Sequence, residues 1–391
     1  MPRLASSAEN VPHSRIRELA EIAMSMDGVL RLYFGESNLP TPEFIKRAAV
    51  RAMAEGYTFY TENAGLPSLR RAIAAQYRRL HDVTIDPTSE IVVTASGVQA
   101  LNVAIRCVLG PGDEALVLSP VWPNGASNVA MANAVARQVP HILCGDRYRV
   151  DFDALAAAVT PRTRVLIYTS PSNPLGWVAS NGEQRQLLDI ARSRDLWLIA
   201  DEVYERIYYG GPRPGSPSPS ILSRASRGDA VIVIQSFSKS YCMTGWRLGW
   251  LVARQDVAAK ATQLNEFIIS HAPSFAQKAG EIALAEGEEE LALMIARLQE
   301  NRDLCLEALG GLAGITVPAP EGAFYVFPRI DGLADSFAFS KRLLEETRVG
   351  LAPGVAFGPG GEGSVRICYA AERTVLEPAL ERLSGFLRAG G

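Results

Sequence analysis

The chain has 391 residues, of which 48% are hydrophobic and 21% are charged. This composition is close to that of soluble globular proteins and excludes a collagen-like or disordered chain. The length predicts two or three domains. The formal charge of −3 argues against a nucleic-acid-binding protein, which carries a basic surface, and gives no sign of a membrane-surface protein.

The cysteines and the N-terminal segment indicate where such a protein resides. Five cysteines lie far apart without a C-x-x-C pair, as expected for a reduced, intracellular chain. Residues 1–25 contain no apolar run typical of a signal peptide. The uncharged run 115–136 is long enough to span a bilayer, but it contains several Pro and Asn residues, so we expect no membrane helix. The prediction is a cytoplasmic protein.

Short β-branched segments alternate with amphipathic ones through most of the chain. This alternation predicts βαβ units and a mostly parallel sheet with flanking helices. The predicted strands are 91–94, 115–118, 165–168, 196–200, 231–235 and 247–252. The helices predicted between them include 98–109, 182–193 and 256–269.

The pattern changes after about residue 287. A long helix is predicted at 288–309, followed by short strands at 323–327 and 365–369 and two more helices. These elements indicate a smaller α+β domain. The N-terminal forty residues lack the βαβ pattern of the large domain and could pack with this smaller one. The predicted division is a large domain at 46–287 and a small domain formed by 1–45 and 288–391.

Three sequence patterns suggest other chemistry and are rejected. The segment 358–363 fits G-x-G-x-x-G, but a strand-like sequence follows it where a dinucleotide-binding site needs a helix. Residues 236–239 fit the S-x-x-K of penicillin-binding enzymes, but the partner motifs are absent from the sequence. The four histidines are far apart from one another, which argues against a histidine-based zinc site. No metal is expected.

Two polar segments follow predicted strands in the first half of the chain. Ser96, Gly97 and Val98 lie where the strand 91–94 gives way to a helix, and exposed N–H groups there suit a phosphate. The same residues would also make an ordinary helix N-cap. Asn173 follows the strand 165–168, at the sheet edge where α/β proteins bind ligands, although Asn-Pro is also a common turn.

Two more segments follow later strands. Asp201 comes directly after the apolar strand 196–200 and could bind a metal, cap a helix or pair with a cationic ring nitrogen. Lys239 follows another apolar strand among hydroxyl groups, with Arg247 eight residues on. A lysine at such a position can be a desolvated nucleophile.

Together, these segments resemble the class I/II aminotransferases, a family of fold-type-I enzymes that use pyridoxal 5'-phosphate (PLP). The resemblance covers nearly the whole chain and implies an α/β large domain, with a mostly parallel sheet flanked by helices, plus a smaller α+β domain. The motifs that carry it are Tyr60-Thr61, Gly65 to Arg70, Pro111 to Glu114, Trp122-Pro123-Asn124, Ser172-Asn173-Pro174, Asp201 to Tyr204, Ser238-Lys239, Gly245 to Gly249, Gly322 to Tyr325, Pro353-Gly354, Phe357-Gly358 and Val365-Arg366.

The resemblance also implies roles for the residues around the PLP ring. Lys239 would hold PLP as a Schiff base and, once released by substrate, would move the proton between Cα and C4′. Asp201 would keep the pyridine nitrogen protonated. Asn173 and Tyr204 would hydrogen-bond the phenolic oxygen, and Trp122 would stack on the ring.

The remaining implied roles concern the phosphate, the substrate and a second subunit. Tyr60 would reach the phosphate from the partner subunit, which implies a homodimer with shared active sites. The phosphate would be bound within one subunit by Ser96, Gly97, Val98, Ser236, Ser238 and Arg247. The amino-acid or 2-oxo-acid substrate would be bound by Gly35, Trp122, Asn173 and Arg366, with Arg366 taking the α-carboxylate.

Two positions depart from the family pattern and bear on the substrate. Val98 stands where many relatives have a polar residue, and Glu36-Ser37-Asn38 replaces the usual Glu-Pro-Asp/Asn. Because valine offers no charge to a second carboxylate, we expect transfer from a neutral or aromatic L-amino acid to a 2-oxo acid. The aromatic residues expected to line the pocket are Tyr33-Phe34, Trp122 and Phe324-Tyr325.

Other readings of the same scaffold remain open. An aspartate aminotransferase would need a second cation, which Arg31 or another arginine could supply from a partner subunit. A C–S lyase or synthase could use the same site residues. An inactive PLP carrier or an interaction protein is less consistent with the complete set of Lys239, Asp201, Tyr204, Arg247 and Arg366. A DNA-binding regulator would need an extra module.

Overall fold

A computed structural model describes residues 2–9 and 11–390. The helices are α1 (Ser6–Glu9), α2 (Arg15–Met24), α3 (Glu43–Ala54), α4 (Pro67–His81), α5 (Gly97–Val108), α6 (Asn124–Met131), α7 (Phe152–Ala157), α8 (Asn181–Ser193), α9 (Gln255–Ile268), α10 (Ser274–Glu286), α11 (Glu288–Gly310), α12 (Ser336–Thr347) and α13 (Arg373–Arg388). The strands are β1 (Leu30–Arg31), β2 (Ile91–Thr94), β3 (Glu114–Ser119), β4 (Val135–Pro140), β5 (Ile142–Cys144), β6 (Arg147–Arg149), β7 (Thr163–Thr169), β8 (Trp197–Asp201), β9 (Val231–Ser236), β10 (Gly249–Ala253), β11 (Ile315–Thr316), β12 (Tyr325–Val326), β13 (Arg329–Ile330), β14 (Val349–Gly350), β15 (Ala352–Pro353) and β16 (Val365–Cys368).

A seven-stranded sheet in the order β2-β10-β9-β8-β7-β3-β4 forms the centre of the molecule. Its strands are parallel except β10, which runs antiparallel to both β2 and β9. All six strands predicted from the sequence are present, with bounds that differ by two residues or fewer. The predicted fold class, a mostly parallel sheet flanked by helices, is confirmed.

One predicted strand begins later than expected. The sequence placed Arg247 in a strand, but Arg247 has a φ of 52° and follows the 3₁₀-helix Thr244–Trp246. This left-handed conformation is incompatible with extended backbone, so β10 begins only at Gly249. Arg247 therefore lies in the turn at the end of the sheet and not within it.

The strands of the sheet are apolar because helices cover both of its faces. Every residue of β2, β3, β9 and β10 is buried, a pattern typical of parallel sheets in α/β proteins. Some of the helices start at side-chain caps, among them α5 at Ser96 and α7 at Asp151. The best defined is a capping box at α8, in which Ser180 and Glu183 satisfy each other's backbone N–H groups.

A second group of elements packs beside the central sheet. It contains the three-stranded sheet β12-β16-β15 and the 23-residue helix α11. The N-terminal segment joins this group through β1, which pairs in parallel with β14, Leu30 opposite Val349. The division into domains at residues 46–287 stays a prediction. No helix within residues 2–9 and 11–390 is long and apolar enough to cross a membrane.

A cluster of polar side chains is buried beneath the central sheet. Gln235 of β9 and His81 of α4 both hydrogen-bond the Glu205 carboxylate. The neighbouring Glu202 accepts a hydrogen bond from the Ile221 N–H at 2.8 Å through one carboxylate oxygen. Its other oxygen has no partner in the described part of the chain. Burial, together with the charge of Glu205, raises the pKa of Glu202 to about 8.

We predict that Glu202 makes the protein less stable as the pH rises. The folded chain keeps the Glu202 proton up to about pH 8, whereas the unfolded chain releases it near pH 4.5. The contribution of Glu202 to the free energy of unfolding is thus complete below pH 4.5. Between pH 4.5 and about pH 8 it declines, by at most about 1.4 kcal/mol per pH unit. Glu202→Gln should flatten this decline, measured by urea unfolding at pH 5 to 8. The exposed Glu289→Gln is the control, and equal slopes in all three proteins would contradict the prediction.

Candidate active site

A cavity of about 260 Å³ opens at the carboxyl edge of the central sheet. Strands β7, β8 and β9 end there together, because Thr169 pairs with Asp201 and Asp201 with Ile234 in parallel register. The sheet edge thereby gathers residues that are far apart in the sequence. The predicted site residues that line the cavity are Gly35, Ser96, Gly97, Val98, Trp122, Asn173, Asp201, Tyr204, Ser236, Ser238, Lys239 and Arg247.

One end of the cavity is formed by the first turn of α5. Ser96 caps this helix with its side chain and has a φ of 115°, a strained conformation for a residue other than glycine. A Cβ added at Gly97 would lie 3.2 Å from the Cβ of Ser236, and one at Gly249 would lie 2.5 Å from the Gly97 nitrogen. The two glycines therefore let the start of α5 lie directly against the end of β9, with free N–H groups at the cavity.

Further donors surround the same end of the cavity. The Ser236 and Ser238 side chains line it, and the Ser238 N–H donates to Ser236 Oγ at 3.1 Å. Arg247 is exposed and also lines it, held by a hydrogen bond of 2.6 Å from Nη1 to the Thr244 carbonyl. A helix N-terminus, two hydroxyls and a guanidinium are together suited to a phosphate dianion.

Asp201 also lines the cavity. Its carboxylate accepts a hydrogen bond of 3.3 Å from the Val203 N–H. Burial raises the pKa of Asp201 to about 6, although the Val203 N–H and the charge of Lys239 act in the opposite direction. A carboxylate in such surroundings is stabilised by a ligand that brings a positive charge, such as a protonated ring nitrogen.

Lys239 lines the same cavity. Its Nζ donates a hydrogen bond of 2.7 Å to the Gly35 carbonyl and lies 5.8 Å from the centre of the Tyr204 ring. Burial lowers the pKa of Lys239 to about 8, although the Cys368 thiol and the Glu36 carboxylate oppose the shift. An amine with this pKa is partly neutral near neutral pH and can attack a carbonyl group.

Arg366 lies behind the cavity and is fully buried. It donates to Asn173 Oδ1 at 3.0 Å and to the Tyr33 carbonyl, but it forms no ion pair with a carboxylate of residues 2–9 or 11–390. Its Nε also lacks a partner there. Because a buried, uncompensated charge costs several kcal/mol, this guanidinium is suited to a carboxylate that a ligand supplies.

The other predicted residues occupy two different places. Asn173 is buried, and its Nδ2 lies 3.5 Å from the Tyr204 hydroxyl. The backbone carbonyl of Asn173 accepts from the backbone N–H of Trp122 at 2.9 Å, which fixes the main chain of Trp122 beside Asn173. Tyr60 is 90% exposed and packs its ring edge-on against His271 at 5.6 Å. The structure thus leaves Tyr60 outside the cavity of its own subunit.

The expected aromatic lining is wrong in part. Of those residues, Trp122 lines the cavity, whereas Tyr33, Phe324 and Tyr325 are buried behind it. These residues lie on short strands or turns. Such short apolar runs do not show which side chains point into the cavity. Further residues that line the cavity were not predicted from the sequence: Thr169, Asn124, Leu101, Val203 and Thr244. Thr169 could have been found, because it ends strand β7 in the same way that Asp201 ends β8.

Comparison with known proteins identifies the family. Residues 28–383 match the family model described as aminotransferase class I and II. The chain is 35% identical to the aspartate aminotransferase of Pyrococcus horikoshii, over 95% of this chain and 94% of that protein. It is 34% identical to aromatic-amino-acid aminotransferase 2 of Thermococcus litoralis, over 98% of each. The crystal structure of an aromatic aminotransferase from Pyrococcus horikoshii OT3 superposes with a TM-score of 0.88, at 34% identity over 95% of this chain and 99% of that one.

The chain therefore belongs to the class I and II aminotransferases, as its sequence motifs indicated. It is an aminotransferase, and its substrates are amino acids and 2-oxo acids. The named relatives include both aspartate and aromatic aminotransferases, so the family assignment leaves the particular amino donor open.

Proposed function

We propose that this aminotransferase uses PLP and moves the amino group of a neutral or aromatic L-amino acid to a 2-oxo acid. One observation carries the proposal. A single cavity is lined by an amine of lowered pKa, Lys239, by the first turn of α5 and by the carboxylate of Asp201. These groups match the aldehyde, phosphate and pyridine nitrogen of PLP. When bound, PLP supplies an electron sink for the bond that breaks at the substrate Cα.

Each group of the cavity then has a task in the reaction. The first turn of α5, with Ser236, Ser238 and Arg247, would bind the phosphate, and Asp201 would keep the ring nitrogen protonated. The Tyr204 hydroxyl would donate to the phenolic oxygen. Trp122 would cover one face of the ring and exclude water from it.

Two basic residues would act on the substrate itself. Arg366 would bind the α-carboxylate, since its buried charge has no carboxylate partner among the described residues, and Asn173 already fixes one of its nitrogens. Lys239, once displaced, would take the proton from Cα and return it to C4′ of the cofactor as general base and acid. Its lowered pKa leaves a neutral amine available for this transfer.

The test of the proposed reaction is amino-group transfer that depends on Lys239. With PLP, a 15N-labelled amino acid and a 2-oxo acid, we expect label in the amino acid formed from the oxo acid. Lys239→Ala should lower kcat by about 10³-fold or more, whereas the exposed Lys260→Ala should not. Release of ammonia without an oxo acid would instead identify a C–S lyase or another eliminating enzyme, and label transfer by Lys239→Ala would contradict the proposal.

The lining of the cavity supports a substrate without a second carboxylate. Lys239 and Arg247 are the cations that line it within the described residues. In the proposed function, both of them bind PLP. Val98 also lines the cavity, and its side chain is 48% exposed. A second substrate carboxylate near Val98 would therefore lose water without gaining a charged partner.

We predict that kcat/KM for phenylalanine, leucine or methionine exceeds that for aspartate. Val98→Lys should raise kcat/KM for aspartate about tenfold or more, because it adds a cation at the cavity wall, while Val98→Met serves as the control of similar length without charge. Steady-state kinetics with a fixed 2-oxo acid measures both ratios. A ratio below one in the wild type would contradict the prediction and indicate a cation from a partner subunit.

A homodimer is proposed from an exposed apolar surface near Tyr60. Phe59 and Tyr60 are 79% and 90% exposed, and Phe267 is 87% exposed. The two segments adjoin, since Ser274 Oγ donates to the Tyr57 carbonyl and Tyr60 packs on His271. Large exposed aromatic groups of this kind mark protein interfaces. At such an interface Tyr60 would reach the phosphate of the partner subunit.

Complementation between two defective chains tests this arrangement. We expect Tyr60→Ala and Lys239→Ala each to be strongly impaired. A heterodimer would contain one site with both residues intact, so an equal mixture after exchange should regain roughly a quarter of wild-type activity. Native mass spectrometry confirms that heterodimers form. Heterodimers without regained activity would show that Tyr60 does not act across the interface.

A cytoplasmic location is also proposed. All five cysteines are free thiols in the structure, and proteins of oxidising compartments usually pair theirs in disulfides.

A further inference from the structure

Tyr325 is a buried tyrosine that makes contact with three residues of the site without lining the cavity. It lies at the start of β12, opposite Cys368 of β16, and its side chain is fully buried. Its hydroxyl is 2.8 Å from the hydroxyl of Tyr204. In the described part of the chain, this is the one hydrogen bond that the Tyr325 hydroxyl makes.

The surroundings of the Tyr325 ring hold that hydroxyl in place. The guanidinium carbon of Arg366 lies 4.6 Å from the ring centroid. A Cβ added at Gly35 would collide with the Tyr325 hydroxyl and lie 3.2 Å from Cζ, so Gly35 lies directly against the hydroxyl. The carbonyl of Gly35 in turn accepts the hydrogen bond from Lys239. The hydroxyl thus has little freedom to turn away from Tyr204.

The direction of the bond between the two hydroxyls follows from what each proton can reach. A hydroxyl has one proton to donate and two lone pairs to accept with. If Tyr204 donated to Tyr325, the proton of Tyr325 would be buried without an acceptor, at a cost of about 1–3 kcal/mol. If Tyr325 donates, its proton is satisfied and the proton of Tyr204 is free to point into the cavity. The second arrangement is therefore the favoured one.

We propose that Tyr325 is a positioning residue that donates to Tyr204 and thereby directs the Tyr204 proton to the phenolic oxygen of the cofactor. This inference rests on the proposed PLP function. An oxygen that accepts a hydrogen bond becomes a stronger donor through its own proton, because hydrogen bonds in a chain polarise one another. Tyr325 acts only through Tyr204 and is not itself in contact with the cofactor.

The expected consequence concerns the Schiff base between Lys239 and the cofactor. The protonated Schiff-base nitrogen would donate a hydrogen bond to the phenolic oxygen. Once that nitrogen is deprotonated, the phenolic oxygen would keep its negative charge but lose this donor. A donor to that oxygen stabilises this form and lowers the pKa of the Schiff base. Without the Tyr325 hydroxyl the donation from Tyr204 weakens, so the Schiff base should hold its proton more tightly, by roughly threefold to tenfold in affinity.

The experiment is a spectrophotometric pH titration of the Schiff-base absorption band in the PLP-loaded enzyme. Tyr325→Phe, which removes only the hydroxyl, should raise the midpoint by roughly 0.5 to 1 pH unit. Tyr204→Phe should raise it further, and the double variant should titrate like Tyr204→Phe alone. The matched control is Tyr369→Phe, because Tyr369 is also fully buried and its hydroxyl lies 3.0 Å from that of Tyr209. It should leave the midpoint unchanged.

Other outcomes overturn the inference in distinguishable ways. An unchanged midpoint in Tyr325→Phe, alongside a shift in Tyr204→Phe, would show that Tyr325 does not direct the Tyr204 proton. Shifts that add in the double variant would show that Tyr325 acts by another route. If the wild-type protein gave no Schiff-base band with PLP at all, the proposed function itself would fail. Thermal unfolding of the cofactor-free variants confirms that each one is folded.

Discussion

The close approach of three backbone segments at Gly249 is the constraint on which the site depends. Gly249 lies on β10, opposite Thr94 of β2 and Ser236 of β9. A Cβ there would lie 2.5 Å from the Gly97 nitrogen and 2.7 Å from the Gln235 carbonyl. Only a residue without a side chain lets the start of α5 and the end of β9 meet, so that both segments line one cavity.

Burial of charge then sets the chemistry of the rest of the cavity. Burial lowers the pKa of Lys239 to about 8 and raises that of Asp201 to about 6, so both charged forms are disfavoured in the protein alone. Arg366 keeps a buried charge without a carboxylate partner among residues 2–9 and 11–390. In the proposed function, each of these groups would meet a complementary ligand group: an aldehyde carbon, a cationic ring nitrogen and a substrate carboxylate. The cavity is in this sense arranged for a cofactor and a substrate together.

Most of the sheet could be predicted because its strands are apolar runs in the sequence. Much of the cavity could be predicted because its residues directly follow the ends of those strands. The apolar strands were readable, and Asp201 and Lys239 were found because polar residues directly follow them. The antiparallel direction of β10 was not readable, since hydropathy patterns do not report strand direction. Contacts over long sequence separations were also hidden. Tyr325 meets Tyr204 across 121 residues, and His81 meets Glu205 across 124, without any local signal.

The most direct test of the proposed cofactor site is to identify the lysine to which PLP attaches covalently. The purified protein is incubated with PLP, reduced with borohydride, digested and mapped by mass spectrometry. We expect one phosphopyridoxyl adduct, on Lys239, because that amine lines the cavity together with the first turn of α5 and Asp201 and has a lowered pKa. An adduct on a different lysine, or no adduct in the folded protein, would contradict the assignment of this cavity.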